Sequence, residues 1–224
     1  MLLCDKILNF LSALQIDNPI PKGVEVLNPY RNAESLELSR KFYSKYYSDE
    51  KERSLILGIN PGRFGAGLTG IPFTDPIKLE SFCQIQNNLK KKPELSADFI
   101  YAVISAYGSP DKFYSKFYFS SVSPLGFTMT GKNLNYYDIP ELQSSIKPFI
   151  VHCLNKQVDF GLNRNTCFIL GEGKNFAFVQ KLNSELRIFK ELVPLPHPRF
   201  VMQYKRKSLE QFIVKYLQAL KQTS

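Results

Sequence analysis

The sequence predicts an α/β protein, a three-layer α/β/α sandwich around a central parallel sheet. Apolar residues recur at helical spacing in six long segments. Four short apolar runs between them do not alternate as half-exposed strands do, and helices and runs alternate along the chain. A strand that is apolar on both faces is covered on both faces, the condition of a parallel sheet whose crossovers are helices.

The elements follow in chain order. Residues 1–15 begin MLLCDKILNFLSAL, which has the apolar look of a leader. Asp5 and Lys6 interrupt it, and its apolar residues fall at helical spacing, so an amphipathic helix and a cytoplasmic protein are expected. A second helix covers 33–47, and SLILGI (54–59) is the first strand. Thr74-Asp75-Pro76 reads as a helix start, with Asp75 capping and Pro76 in the first turn. Then come a helix at 96–106, the strand FYFSSVS (117–123) and a helix at 139–156. The strand TCFILG (166–171), a helix at 174–184, the strand FKELVPL (189–195) and a helix at 207–221 complete the series. There is no internal repeat, low-complexity tract or dividing linker, so residues 1–224 are expected to form one domain.

Composition narrows the partners. With 29 Lys and Arg against 20 Asp and Glu, the net charge of +9 suits polyanions, although a basic protein without such a role has the same balance. Lys90-Lys91-Lys92 and Lys205-Arg206-Lys207 are short basic runs beside helix ends, where solvated surface is the plainer reading. Cys4, Cys83, Cys153 and Cys167 are scattered with no C-x-x-C pair, and only His152 and His197 join them. Buried free thiols and no metal site are expected. No apolar run approaches the ~20 residues that span a bilayer, and a monomer without a membrane partner is expected.

Three strands run directly into special loops: GINPGRFG, GEGKN and PLPHPRF. In a parallel sheet ligands bind beyond the carboxyl ends of the strands, so these loops are expected on one edge. GINPGRFG fits neither the spacing of a phosphate loop nor that of a dinucleotide fingerprint. Its glycines suit backbone lying close against a flat ligand, which Phe64 and Phe73 can wall. Asn60, at the strand's carboxyl end, carries an amide able to donate and accept at once and so to orient a water. The plainer reading makes Asn60-Pro61 a turn and both phenylalanines core.

Gly58-Ile59-Asn60-Pro61-Gly62-Arg63-Phe64-Gly65 and Thr69-Gly70-Ile71-Pro72-Phe73 resemble the first motif of the single-strand-selective monofunctional uracil-DNA glycosylases. SPLGFTMTGKNL (123–134) is similar to that family's C-P-L-x-F…S-G-x-N-L segment, and FILGEGKNFA (168–177) to its glycine turn from sheet to helix. LPHPRF (195–200) looks like the second motif, H-P-S-P-R-N. Together these motifs cover roughly residues 54–221.

The resemblance implies hydrolysis of the N-glycosidic bond to a deaminated base in single- or double-stranded DNA, with no metal or redox cofactor. It puts the backbone of Ile59 and Gly62 against the base, Phe73 on its face and Phe64 in the same wall. Asn60 would hold the attacking water and His197 would donate to the departing base. Gly171, Gly173 and Lys174 would grip phosphates, and Arg199 with the following FVMQYKRK, including Lys205, would fill the gap left by the flipped base. Asp75 remains a secondary catalytic candidate beside its capping role. The alternative is a weak or inactive module that binds damaged or single-stranded DNA.

Two departures stand out. In Pro196-His197-Pro198-Arg199-Phe200, His197 matches either the histidine or the serine of the motif; the need for a ring donor assigns it to the histidine. Ser121 stands where the family carries an asparagine that reads the base edge with two hydrogen bonds. One hydroxyl cannot do that. Either the pocket accepts other deaminated bases such as hypoxanthine or xanthine, or another residue supplies the contact.

Overall fold

The computed structural model describes residues 1–221; the last three residues of the expected 1–224 domain lie outside the described residues. Four parallel strands form its centre: β2 (Ser54–Gly58), β3 (Phe117–Ser121), β6 (Asn163–Leu170) and β7 (Glu191–Leu195), in the order β3-β2-β6-β7. Every residue of β2 and β3 is buried, which is why these segments read as unbroken apolar runs. Pro194, which lacks an amide hydrogen, sits on the edge strand β7, where one side of the ladder needs no donor.

Helices flank the sheet. α1 (Leu3–Ser12) packs on α2 (Ala33–Tyr46) and α7 (Pro140–Val158), while α5 (Leu95–Tyr107) packs on α9 (Pro198–Tyr204) and α10 (Leu209–Lys221). α8 (Lys174–Leu186) lies against β6. Short helices α3 (Ala66–Thr69), α4 (Pro76–Ser81) and α6 (Pro110–Tyr114) occupy stretches for which the sequence predicts no regular element beyond a helix start at Asp75. None of the described helices is long and apolar enough to cross a membrane.

A second sheet is absent from the sequence expectation. β1 (Val24–Leu27), β4 (Gly126–Met129) and β5 (Lys132–Leu134) form an antiparallel three-stranded sheet in the order β1-β4-β5. The hairpin turns at Thr130 (φ 48) and Gly131 (φ 71), both left-handed, as a two-residue turn matched to strand twist requires. The central strands also shift at their ends. β6 begins at Asn163, because backbone bonds from Asn163 to Arg53 and from Lys190 to Arg164 extend the ladder through polar residues that carry no apolar pattern, and the expected strand 117–123 leaves the ladder after Ser121. The amides of Val122 and Ser123 still bond the carbonyls of Gly58 and Ile59, at 3.0 and 3.1 Å.

Candidate active site

Because all four central strands run the same way, the segments following β2, β6 and β7 emerge on one edge. A cavity of about 90 Å³ opens there. It is lined by the first loop (Ile59, Asn60, Gly62, Phe73), by Ser121, by Glu94 and Ser96 at the start of α5, by Asn133–Asn135, and by His197 and Arg199.

Asn60 is held as a brace. Its Nδ2 donates to the Leu134 carbonyl at 3.0 Å, and its Oδ1 accepts from the Tyr136 amide at 2.9 Å. The Tyr136 hydroxyl in turn donates to Asn175 Oδ1 at 2.9 Å, and Asn175 Nδ2 donates to the Leu170 carbonyl at 3.0 Å. Asn60 therefore ties the end of β2 to the exit of the hairpin and, through Tyr136 and Asn175, to the end of β6. The bonds fix which end of its amide is oxygen, leaving one Oδ1 lone pair for a further ligand.

Phe73 stands in the left-handed region (φ 54), an uncommon place for a bulky residue. Thr69 holds the turn: its hydroxyl donates to the Thr74 carbonyl at 2.7 Å and accepts from the Ile71 amide at 3.1 Å. Gly58 makes room for the ring, since a Cβ there would lie 2.7 Å from Phe73 Cζ. The Phe73 ring packs against Phe119 and His197, with centroids 5.3 and 6.4 Å away.

His197 caps α9. Its Nδ1 accepts from the Arg199 amide at 3.2 Å, so in the neutral ring the proton is on Nε2. Burial and the nearby Arg199 cation push its pKa down to about 4. The ring is thus a neutral donor throughout the physiological range. Ser121 pairs with Gly58 across the ladder, and its hydroxyl makes no hydrogen bond among the described residues.

Other expected site residues lie elsewhere. Asp75 is fully buried and does not line the cavity; Oδ1 accepts from the Lys78 amide at 2.8 Å and Oδ2 from the Glu94 amide at 2.9 Å. Phe64 is also outside the cavity lining. Its ring is covered by Lys92 Nζ at 3.6 Å and the Arg63 guanidinium at 4.5 Å, so cations rather than a base occupy its face. Gly171, Gly173 and Lys174 flank the same edge at the start of α8 but contribute nothing to the lining. There Glu172 pairs with Lys215 at 2.8 Å. Lys205 is exposed at the end of α9, beside the exposed, mutually packed rings of Phe200 and Tyr204.

Glu94 was not singled out by sequence reasoning, because an acidic residue before a helix reads as a solvated first turn. Tyr136 and Asn175 left no signal beyond their type. Among the described residues no group of three or more His, Cys, Asp or Glu stands close enough to hold a metal ion.

An open parallel α/β sheet with a polar-lined cavity beyond its carboxyl ends belongs to the class of α/β proteins that bind small groups at that edge. Residues 44–221 match the uracil DNA glycosylase superfamily, and the chain belongs to that family. It is similar to the crystal structure of wild-type Pedobacter heparinus SMUG2, at 44% identity and a TM-score of 0.97, covering 100% of this chain and 98% of that one. It is also 28% identical over 144 residues to the single-strand selective monofunctional uracil-DNA glycosylase of Rattus norvegicus. That match takes in 56% of this chain and 50% of the rat protein, so the chain matches about half the length of that curated relative.

Proposed function

We propose that this chain is a monofunctional DNA glycosylase that hydrolyses the N-glycosidic bond of uracil, and of other deaminated bases, in DNA. Family membership and the likeness to SMUG2 support the class of activity. The observation that carries the reading is His197, whose Nδ1 is occupied by the Arg199 amide so that a neutral Nε2–H is the group left for the cavity.

The extruded base lies against the backbone of Ile59 and Gly62 with Phe73 on its face. Extrusion costs a few kcal/mol, least for an unpaired base. The C1′–N bond breaks and its electron pair leaves with the base. His197 Nε2–H donates to the carbonyl oxygen on which that negative charge gathers, an interaction worth about 3 kcal/mol in comparable sites. The sugar cation is captured by a water at the remaining Asn60 lone pair. The water's proton passes to solvent, and the strand is left abasic and uncut. No lysine lines the cavity to form an imine with the sugar. Arg199, Phe200, Tyr204 and Lys205 give α9 the charge and exposed rings to hold the opened DNA.

The test is a panel of labelled oligonucleotides, single- and double-stranded, each with one uracil, hypoxanthine or xanthine. Treatment with the protein and then alkali should cut at the modified base. Salt-sensitive binding with no cut in any substrate would favour a DNA-binding module instead.

A further inference from the structure

Glu94 has no part in that scheme, yet its side chain lines the same cavity as Asn60, Phe73, Ser121 and His197. Gly62 and Gly65 run close beside it, and of the two Gly65 makes room for it. A Cβ on Gly62 would lie 3.5 Å from Glu94 Oε1, and a Cβ on Gly65 would run into the carboxyl. The backbone of Glu94 is pinned: its amide donates to Asp75 Oδ2 at 2.9 Å, and its carbonyl accepts from the Asp98 amide at 3.0 Å as α5 begins. The carboxyl itself makes no hydrogen bond or ion pair among the described residues. It is an open polar group held beside Gly62, where the base is proposed to rest.

Deamination turns an exocyclic amine into a carbonyl and places a protonated ring nitrogen beside it. Uracil and hypoxanthine both show this carbonyl and N–H pair. A protonated carboxyl offers the matching O–H donor and C=O acceptor, as a carboxamide does. A carboxylate offers acceptors only and would repel a base that leaves as an anion.

We propose that Glu94, in its protonated form, reads the edge of the extruded base with two hydrogen bonds and so supplies the contact that Ser121 cannot. This rests on the base-excision reading above. The surroundings favour the protonated form. Burial and the Asp75 carboxylate push the pKa up, with Asp98 adding to them and Arg199 opposing, to about 7. Asp98 is itself paired with Lys78 at 2.6 Å, and His197 across the cavity lining is neutral.

The experiment compares wild type, Glu94→Gln and Glu94→Ala in single-turnover excision of uracil from pH 5.5 to 9, with thermal melts to establish folding. Wild-type rate should fall about tenfold for each pH unit above the carboxyl's pKa. Glu94→Gln, which keeps donor and acceptor without ionising, should hold its rate and exceed wild type at pH 8.5 by about tenfold or more. Glu94→Ala should be slower than both at pH 6. A wild-type rate that rises with pH, a Glu94→Gln rate that collapses at pH 6, or a folded Glu94→Ala with an unchanged profile would each overturn the proposal. Equilibrium binding of uracil- against cytosine-containing oligonucleotides at pH 6 and 8.5 separates the two readings. A uracil preference lost at pH 8.5 and in Glu94→Ala supports the role of Glu94 even if no base is released. A preference unchanged by either overturns it.

Discussion

At the amino end of the central sheet Arg53 is fully buried, and each of its three guanidinium nitrogens has a partner: the Tyr114 carbonyl at 2.8 Å, the Lys51 carbonyl at 2.7 Å and the Asp49 carboxylate at 3.0 Å. At the carboxyl end the Ser121 hydroxyl and the Glu94 carboxyl have none among the described residues, and His197 has one nitrogen committed and one left over. Both ends carry polar groups in half-dry surroundings, where an unpaired group costs stability. Saturation at one end serves the fold. Unused bonding capacity at the other is what a ligand can complete.

This contrast can be broken from either side. Arg53→Ala should have the largest effect, lowering stability by about 3–5 kcal/mol because it leaves buried partners unpaired, while excision per folded molecule stays unchanged. Urea denaturation and active-site titration would read the two quantities. At the other end His197→Ala should reduce single-turnover excision by about 10²–10³ with only the loss of a helix cap, about 1 kcal/mol, in stability.

The pH dependence of His197 sharpens the point. Its folded value of about 4 lies below the ordinary 6.5, so the unfolded chain takes up this proton first as the pH falls. Its contribution to stability is therefore complete above pH 6.5 and is lost as the pH drops toward 4. Excision should show no loss from this group near pH 6.5, and its acid limb should appear only close to pH 4; a rate profile in matched ionic strength would show it.

Asn60 belongs to both ends of the comparison, since it is braced by backbone and also lines the cavity. Asn60→Ala should lose activity and also about 1–3 kcal/mol of stability, because the Leu134 carbonyl and Tyr136 amide lose their partner. The smallest effect is expected at Phe64, whose ring faces cations rather than the cavity. Phe64→Ala should leave excision of uracil from a single strand within about threefold of wild type, consistent with the loss of a surface cation–π contact.

The central strands were legible because burial on both faces writes an unbroken apolar run, and the long helices because one buried stripe writes a period. The antiparallel sheet was not legible. β1 has four residues and β5 three, half exposed, too short for a pattern to accumulate. Thr130-Gly131 was its one readable sign. Phe64 and Phe73 look alike in the sequence, nine residues apart in one loop. Only the turn held by Thr69 and the space above Gly58 separate the ring in the cavity from the ring outside it.

The sequence by itself determined a parallel α/β sheet, the edge at which its special loops emerge, and the residue types gathered there. Those follow from local periodicity and strand direction, which neighbouring residues encode. The tertiary structure decided which polar groups are spent and which remain free. It gave Asn60 three backbone partners, committed one nitrogen of His197, locked Asp75 into capping and brought Glu94 to the cavity from a different segment. A hydrogen-bonding group's free capacity depends on what packs against it from distant parts of the chain, and no local stretch of sequence records that.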